Sequence, residues 1–233
     1  MLSDVSAHDE SWIARAALCE LLSLSFRYPD DVLADVVSSG DWACAAREIT
    51  GVLGLDLSGD FDEGCLGAAP LRGVKAPVDK KSLLHDLRVE ATRLFVGAPE
   101  PACSPYEGTR RAEAEGAPVL MFVNPHSMEV ERFCHACGLG RPEGTNEPLD
   151  HVATEFELLQ ILALRAAGAD AVEGDGVAQA ELPGGSAAAA YDAFVREHVR
   201  SWMLEFAEDV AVEARQPFYR AAAQLLRAFV ASA

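Results

Sequence analysis

Apolar residues recur at three- and four-residue intervals along most of this chain, and strict alternation is nowhere sustained, so helices are predicted and strands are not. Ser11 to Tyr28 carries Trp12, Ile13, Ala16, Ala17, Leu18, Leu21, Leu22 and Leu24 around most of a helical circumference, the pattern of a central helix. Pro29 ends it, because the residue before a proline is pushed out of the α region. Shorter helices are predicted over Asp30 to Val37 and Trp42 to Leu53, parted by Ser38-Ser39-Gly40. From Lys81, the residues Leu83, Leu84, Leu87, Ala91, Leu94 and Phe95 fall on one face as far as Gly97. Another helix starts at Asn124 or Pro125 and runs through Cys137, closed by Gly138. Pro148 then suits a first helical turn, where its missing N–H would have had no partner, and Val152, Phe156, Leu159, Leu162 and Ala163 follow on one face. Tyr191, Phe194, Val195, His198, Trp202 and Phe206 form a long stripe, and Phe218, Ala222, Leu225, Leu226 and Phe229 point inward from a last helix. The stretches 54–80 and 168–185, rich in Gly and Pro, read as irregular connections, and prolines 99, 101 and 105 keep 98–108 out of a helix. The fold class is therefore all-α, with residues 1–233 as one helical domain.

Charge narrows the function. Acidic residues number 37 against 19 basic ones, a formal balance of −18, and no Lys/Arg cluster is present, so a nucleic-acid partner is excluded. Such a surplus keeps a protein in solution and also steers a basic segment toward it. The first ten residues are acidic and lack an export signal, and no apolar run is long enough to span a bilayer; a cytoplasmic protein without stable membrane insertion is expected. In that compartment the cysteines at 19, 44, 65, 103, 134 and 137 are reduced thiols.

Few residue groups suggest chemistry. Asn146-Glu147-Pro148-Leu149-Asp150-His151 combines backbone control with a carboxylate and an imidazole at a helix mouth. Asn146 or Glu147 is the expected cap, with Asp150 facing free N–H groups of the first turn. Capping alone explains most of that stretch. Cys134-His135-Ala136-Cys137 has a C-x-x-C spacing but no second pair for a zinc site, so buried, inert thiols are expected. His85-Asp86 raises an all-helical metal-dependent phosphohydrolase as a competing reading, without further ligands at an obvious spacing. His198, on an apolar stripe, reads as a packed core histidine. No phosphate loop, nucleophile elbow or dinucleotide fingerprint is present, and no cofactor or metal is assigned.

Three segments together resemble a known family. Leu94-Phe95-Val96-Gly97, followed by Ser104-Pro105-Tyr106-Glu107-Gly108, is similar to its L-F-x-G and P-(W/Y)-E-S elements. Asn146 to His151 resembles its E-P-x-D-H motif, and Glu197-His198 through Trp202 with Pro217-Phe218-Tyr219-Arg220 resembles its C-terminal helices. The family is the TorD/DmsD group of maturation chaperones for molybdenum-containing reductases. The resemblance implies a single-domain bundle of roughly nine to eleven helices, without catalysis. It also implies binding of the twin-arginine signal peptide and the apo form of a molybdopterin-containing enzyme of the DMSO reductase type, until the cofactor is inserted. Its peptide-contact positions fall on Leu94, Phe95, Pro105, Tyr106, Pro148, Asp150 and His151, and the same motifs add Glu107 and Glu147. Gly108 stands where the family usually has Ser.

The physical requirement agrees with that implication. A twin-arginine signal carries a cationic segment and an apolar one, so its receptor needs carboxylates beside an apolar groove. Asp150 and the acidic surface suit the first, and Leu94, Phe95 and Tyr106 the second. The loop at 97–108 and the helix start at 148–151 are therefore expected to form one site. A structural assembly subunit without signal-peptide binding is the remaining alternative.

Overall fold

The computed structural model describes residues 2–57, 61, 79–117, 124–140, 148–169 and 177–232. Ten α-helices are described in this span: α1 (Leu2–Phe26), α2 (Asp31–Ser39), α3 (Asp41–Leu53), α4 (Lys80–Ala91), α5 (Glu107–Ala114), α6 (Pro125–Ala136), α7 (Val152–Ala166), α8 (Ala187–Phe194), α9 (Arg200–Glu213) and α10 (Pro217–Ser232). They gather into two compact units, one drawn from 2–23 and Tyr106–Met203, the other from Leu24–Pro105 and Leu204–Ser232. None of the described helices is long and apolar enough to cross a membrane.

In the first unit, the apolar stripe of α7 (Val152, Phe156, Leu159, Leu162) is fully buried, and α7 packs along α8. Trp12 of α1 meets the edge of Tyr191 at 5.2 Å between ring centroids, and Phe133 of α6 meets Phe194 at 5.1 Å. These edge-to-face contacts suit the ring quadrupoles. The Cys19 thiol lies 3.9 Å from the Tyr191 hydroxyl, and burial pushes it up to about 12.

The second unit is built on an aromatic cluster. Phe95 packs against Phe26, Phe206 and Tyr219 at centroid separations of 6.1, 6.1 and 5.5 Å. Trp42 meets Phe218 and donates its indole N–H to Ser25 Oγ at 2.9 Å, so its one polar atom is satisfied inside the core. Asp30 caps α2 by accepting from the Leu33 N–H, and Gly40 takes the left-handed conformation that separates α2 from α3.

Several boundaries differ from the expectations. The first helix starts at Leu2, not Ser11: polar helix-forming residues extend the turn without any apolar stripe to reveal it. α5 was not expected, because its inward residues are Glu107, Gly108 and Ala112, none of which writes a hydrophobic period. Residues 179–181 and 183–185 form 3₁₀ turns within the expected irregular connection, while 170–176 and most of 54–80 lie outside the described residues. Two wide turns interrupt the helical ladder at Thr92–Val96 and Val195–Val199; in each, an i to i+5 hydrogen bond closes the turn, Gly97 N–H to Thr92 O and Arg200 N–H to Val195 O.

Candidate functional site

The helix expected to begin at Pro148 begins at Val152. His151 is extended (φ −78°, ψ 136°) and is itself the cap, its Nδ1 accepting the Ala153 N–H at 3.1 Å. Pro148 is exposed and precedes a turn at Leu149-Asp150; Asn146 and Glu147, expected as the cap, lie outside the described residues. An imidazole that accepts at Nδ1 must be neutral or lose that bond. Burial supplies the same bias, lowering His151 to about 4, although one side of the residue remains open. The hydrogen of the neutral ring therefore sits on Nε2.

Tyr106, extended in the same way, pairs with His151 in an isolated antiparallel bridge. Their rings lie edge to face at 5.2 Å, and the Glu107 N–H donates to Asp150 O at 3.0 Å. Each residue immediately precedes a helix, so one antiparallel bridge joins the starts of α5 and α7.

Asp150 does meet free N–H groups at a helix mouth, but that helix is α5 and not its own. Its Oδ2 accepts from the Gly108 N–H at 3.0 Å and from Ser127 Oγ at 2.6 Å. Asn124 caps α6 through the His126 N–H and donates its side-chain amide to Gly108 O at 2.6 Å. Gly108 is required here by space: a Cβ would sit 2.9 Å from Asp150 Oδ2 and nearer still to Ser127 Oγ. The carboxylate at the start of α5 is favoured by the dipole as well as by its two donors.

Behind the bridge lies a knot of acids. Glu107, Asp150 and Glu155 are 0, 1 and 0% exposed. Glu107 binds Arg111 Nη1 at 2.7 Å and His198 Nδ1 at 3.1 Å, while Glu155 accepts the Trp202 indole N–H at 3.4 Å. Burial, then the charges of Glu107 and Asp150, raises Glu155 well above the ordinary carboxyl range. His198 is the packed histidine the stripe predicted, stacked on Phe194 at 4.6 Å, with an ionic partner in addition. Glu155 was not singled out from sequence; the signal was a lone acid on the buried face of α7, three residues after Val152 and four before Leu159.

Arg111 and His198 also line a cleft of about 590 Å³, walled by Arg132, Phe133, Pro183 and Glu197. Glu129 and Glu197 at this cleft, and Glu115 of the α5 end, are each about half exposed. The cleft is thus mixed in charge with an apolar ring on its wall.

The remaining candidates face inward or stand apart. Leu94 and Phe95, expected to cover an apolar peptide segment, are enclosed in the core of the second unit, and Pro105 is buried there too. The Pro-rich loop is tied to the same turn by Ala102 N–H to Arg93 O and Cys103 N–H to Leu94 O. Glu107 and Asp150 likewise present no charge at the surface; of the named residues that are described, Tyr106, Pro148 and His151 reach solvent. Cys134 and Cys137 are buried, and desolvation raises both thiols, Cys137 to about 11. His85 and Asp86 sit on the exposed side of α4, and no group of three His, Cys, Asp or Glu suited to a metal occurs among the described residues.

Comparisons with known proteins place this architecture. No curated protein matches the chain. A crystal structure from Archaeoglobus fulgidus, described as a redox enzyme maturation protein, is similar over 93% of each chain with a TM-score of 0.50 and 22% sequence identity, a likeness of fold. The sequence profile of the nitrate reductase delta subunit family matches residues 67–208, the span that holds α5, α6, α7 and both paired motifs. This chain belongs to the nitrate reductase delta subunit family, the group of chaperones that takes in the TorD/DmsD type it resembles.

Proposed function

We propose that this protein is a cytoplasmic maturation chaperone that holds the apo form of a molybdopterin-containing reductase of the DMSO reductase type, gripping its twin-arginine signal peptide until the cofactor is in place. The observation that carries the reading, within the family assignment, is the pairing of Tyr106 with His151. It joins two motifs that stand 42 residues apart at Gly108 and Asp150, and it leaves two aromatic faces half open beside the exposed Pro148. Those faces suit an apolar segment, and the Nε2 hydrogen of His151 suits a backbone carbonyl. The buried Asp150 and Glu107 support this surface from behind. The cationic end of the peptide is met instead by open carboxylates such as Glu115, Glu129 and Glu197, with the net charge of −18 steering the encounter. Leu94, Phe95 and Pro105 contribute as packing within the second unit, and Glu147 keeps its place in the motif. The chain makes and breaks no bonds in this role.

The test is capture of the reductase encoded beside this gene, with and without its signal peptide. Wild-type protein retains the signal-bearing apo form, and the signal-less form binds at least tenfold more weakly. Tyr106→Ala weakens the first by about tenfold, the loss of one aromatic anchor at about 1.4 kcal/mol. Equal capture of both forms, unchanged by Tyr106→Ala, overturns the signal-peptide role and favours a structural assembly subunit.

A further inference from the structure

We propose that Glu155 and Glu107 form a proton-sharing acid pair inside the first unit, and that this pair, by tying α7 to α5, positions Tyr106 and His151 against each other. The geometry leaves little choice. Glu107 already holds the Arg111 guanidinium and the ring nitrogen Nδ1 of His198. Asp150 takes two neutral donors at Oδ2 and none at Oδ1 among the described residues, and it acts on Glu155 through its charge, whereas Glu107 is also a hydrogen-bond partner. Glu155, fully enclosed, has one long indole contact at Oε2 and no donor for Oε1 among the described residues. As a carboxylate it is a second buried anion beside Glu107 with no cation of its own. As an acid it donates its hydrogen to the neighbouring Glu107 carboxylate, whose single remaining charge Arg111 balances.

Burial and the acids that face Glu155 favour its neutral form and outweigh the Trp202 indole N–H, which favours the carboxylate. α5 brings Glu107 and Arg111, the turn before α7 brings Asp150, the wide turn at Val195–Val199 brings His198, α9 brings the Trp202 indole, and α6 brings the Cys134 thiol, itself held protonated by burial and by the acids around it. The register explains the positioning role. Glu107 directly follows Tyr106, and the Glu155 N–H donates to His151 O at 3.0 Å, so the acid pair and the aromatic pair are successive layers of the same two helix starts. This holds whether or not the aromatic face receives a signal peptide.

The experiment is infrared spectroscopy and thermal unfolding of the full chain across about pH 5 to about pH 9, on wild type, Glu155→Gln and Glu155→Ala. Wild type shows a buried carboxylic-acid carbonyl band at neutral pH, and the band is lost in Glu155→Gln. Above about pH 6.5, where His151 is neutral in both states, wild-type Tm falls as pH rises, because the unfolded chain has released near 4.5 a proton the folded protein keeps. Glu155→Gln, whose amide can still donate to Glu107, removes that slope and retains the ring-to-ring nuclear Overhauser effect between Tyr106 and His151, whereas Glu155→Ala loses it. Absence of the acid band in wild type overturns the proposal, as does a Gln variant with the wild-type slope. Should the variants fail to fold, isotope-labelled glutamate in wild type decides the question by the band alone.

Discussion

Gly108→Ala is the sharpest probe of the site's construction. Helix propensity by itself predicts a gain of up to about 1 kcal/mol for replacing a helical glycine by alanine. The structure predicts the opposite. The new methyl would stand 2.9 Å from both Asp150 Oδ2 and Asn124 Cγ, and closer to Ser127 Oγ, so it displaces the three groups that hold the starts of α5 and α6. Overpacking costs about 1–3 kcal/mol, and weakening the charge-assisted bonds to Asp150 adds about 1.5–3 kcal/mol. Against the propensity gain, the net is a loss of about 1.5–5 kcal/mol, which for a chain of this size lowers Tm by roughly 3–20 °C. Urea unfolding followed by far-UV circular dichroism measures it. Because the closest obstacle is the Ser127 hydroxyl, the double variant Gly108→Ala/Ser127→Ala should lose less than the sum of the single variants, by about 1 kcal/mol or more. A Gly108→Ala protein as stable as wild type, or strict additivity in that cycle, refutes the reasoning.

Two further outcomes are expected. His151→Asn keeps a cap and removes the titration: between about pH 6.5 and about pH 4 the unfolded histidine takes up a proton that the folded one, at about 4, resists, so wild type loses about 2 kcal/mol on acidification that the variant keeps. Comparison of their unfolding free energies at the two ends of that window checks it, and equal losses count against the neutral cap. Among the described cysteines, Cys44 alone is exposed; a thiol reagent followed by mass spectrometry should modify it in the folded protein, and reach Cys19, Cys103, Cys134 and Cys137 only after unfolding. Rapid labelling of Cys134 or Cys137 would contradict their enclosure.

Hydrophobic periodicity locates helices whose buried face is apolar, and here it does so for α3, α6 and α10, where Asn124, Gly138 and Phe218 stand where the pattern places them. It is blind to a helix whose buried face is polar. α5 turns Glu107 and Gly108 inward, so nothing in its spacing announces a helix, although its first residues carry the site. The same blindness reversed the role of Asp150. A carboxylate one residue before a histidine reads as a local cap, and only the fold discloses that its donors come from residues 42 and 23 positions earlier in the chain. What the motif text did convey was adjacency: the two segments do meet at Tyr106 and His151. It conveyed less about exposure. Leu94, Phe95, Glu107 and Asp150 are interior, so Asp150→Ala tests the frame of the site and not a peptide contact.

The order in which the chain fills its two units constrains how it can be made and dissected. Each unit draws on two segments separated by the other's sequence, and the core of the second needs Phe218 and Tyr219 near the very end. During synthesis, therefore, the second unit cannot complete its core until residues 204–232 have been made. For the same reason no contiguous fragment reproduces either half, so an expression library of truncations would return insoluble pieces where point substitutions return an intact molecule.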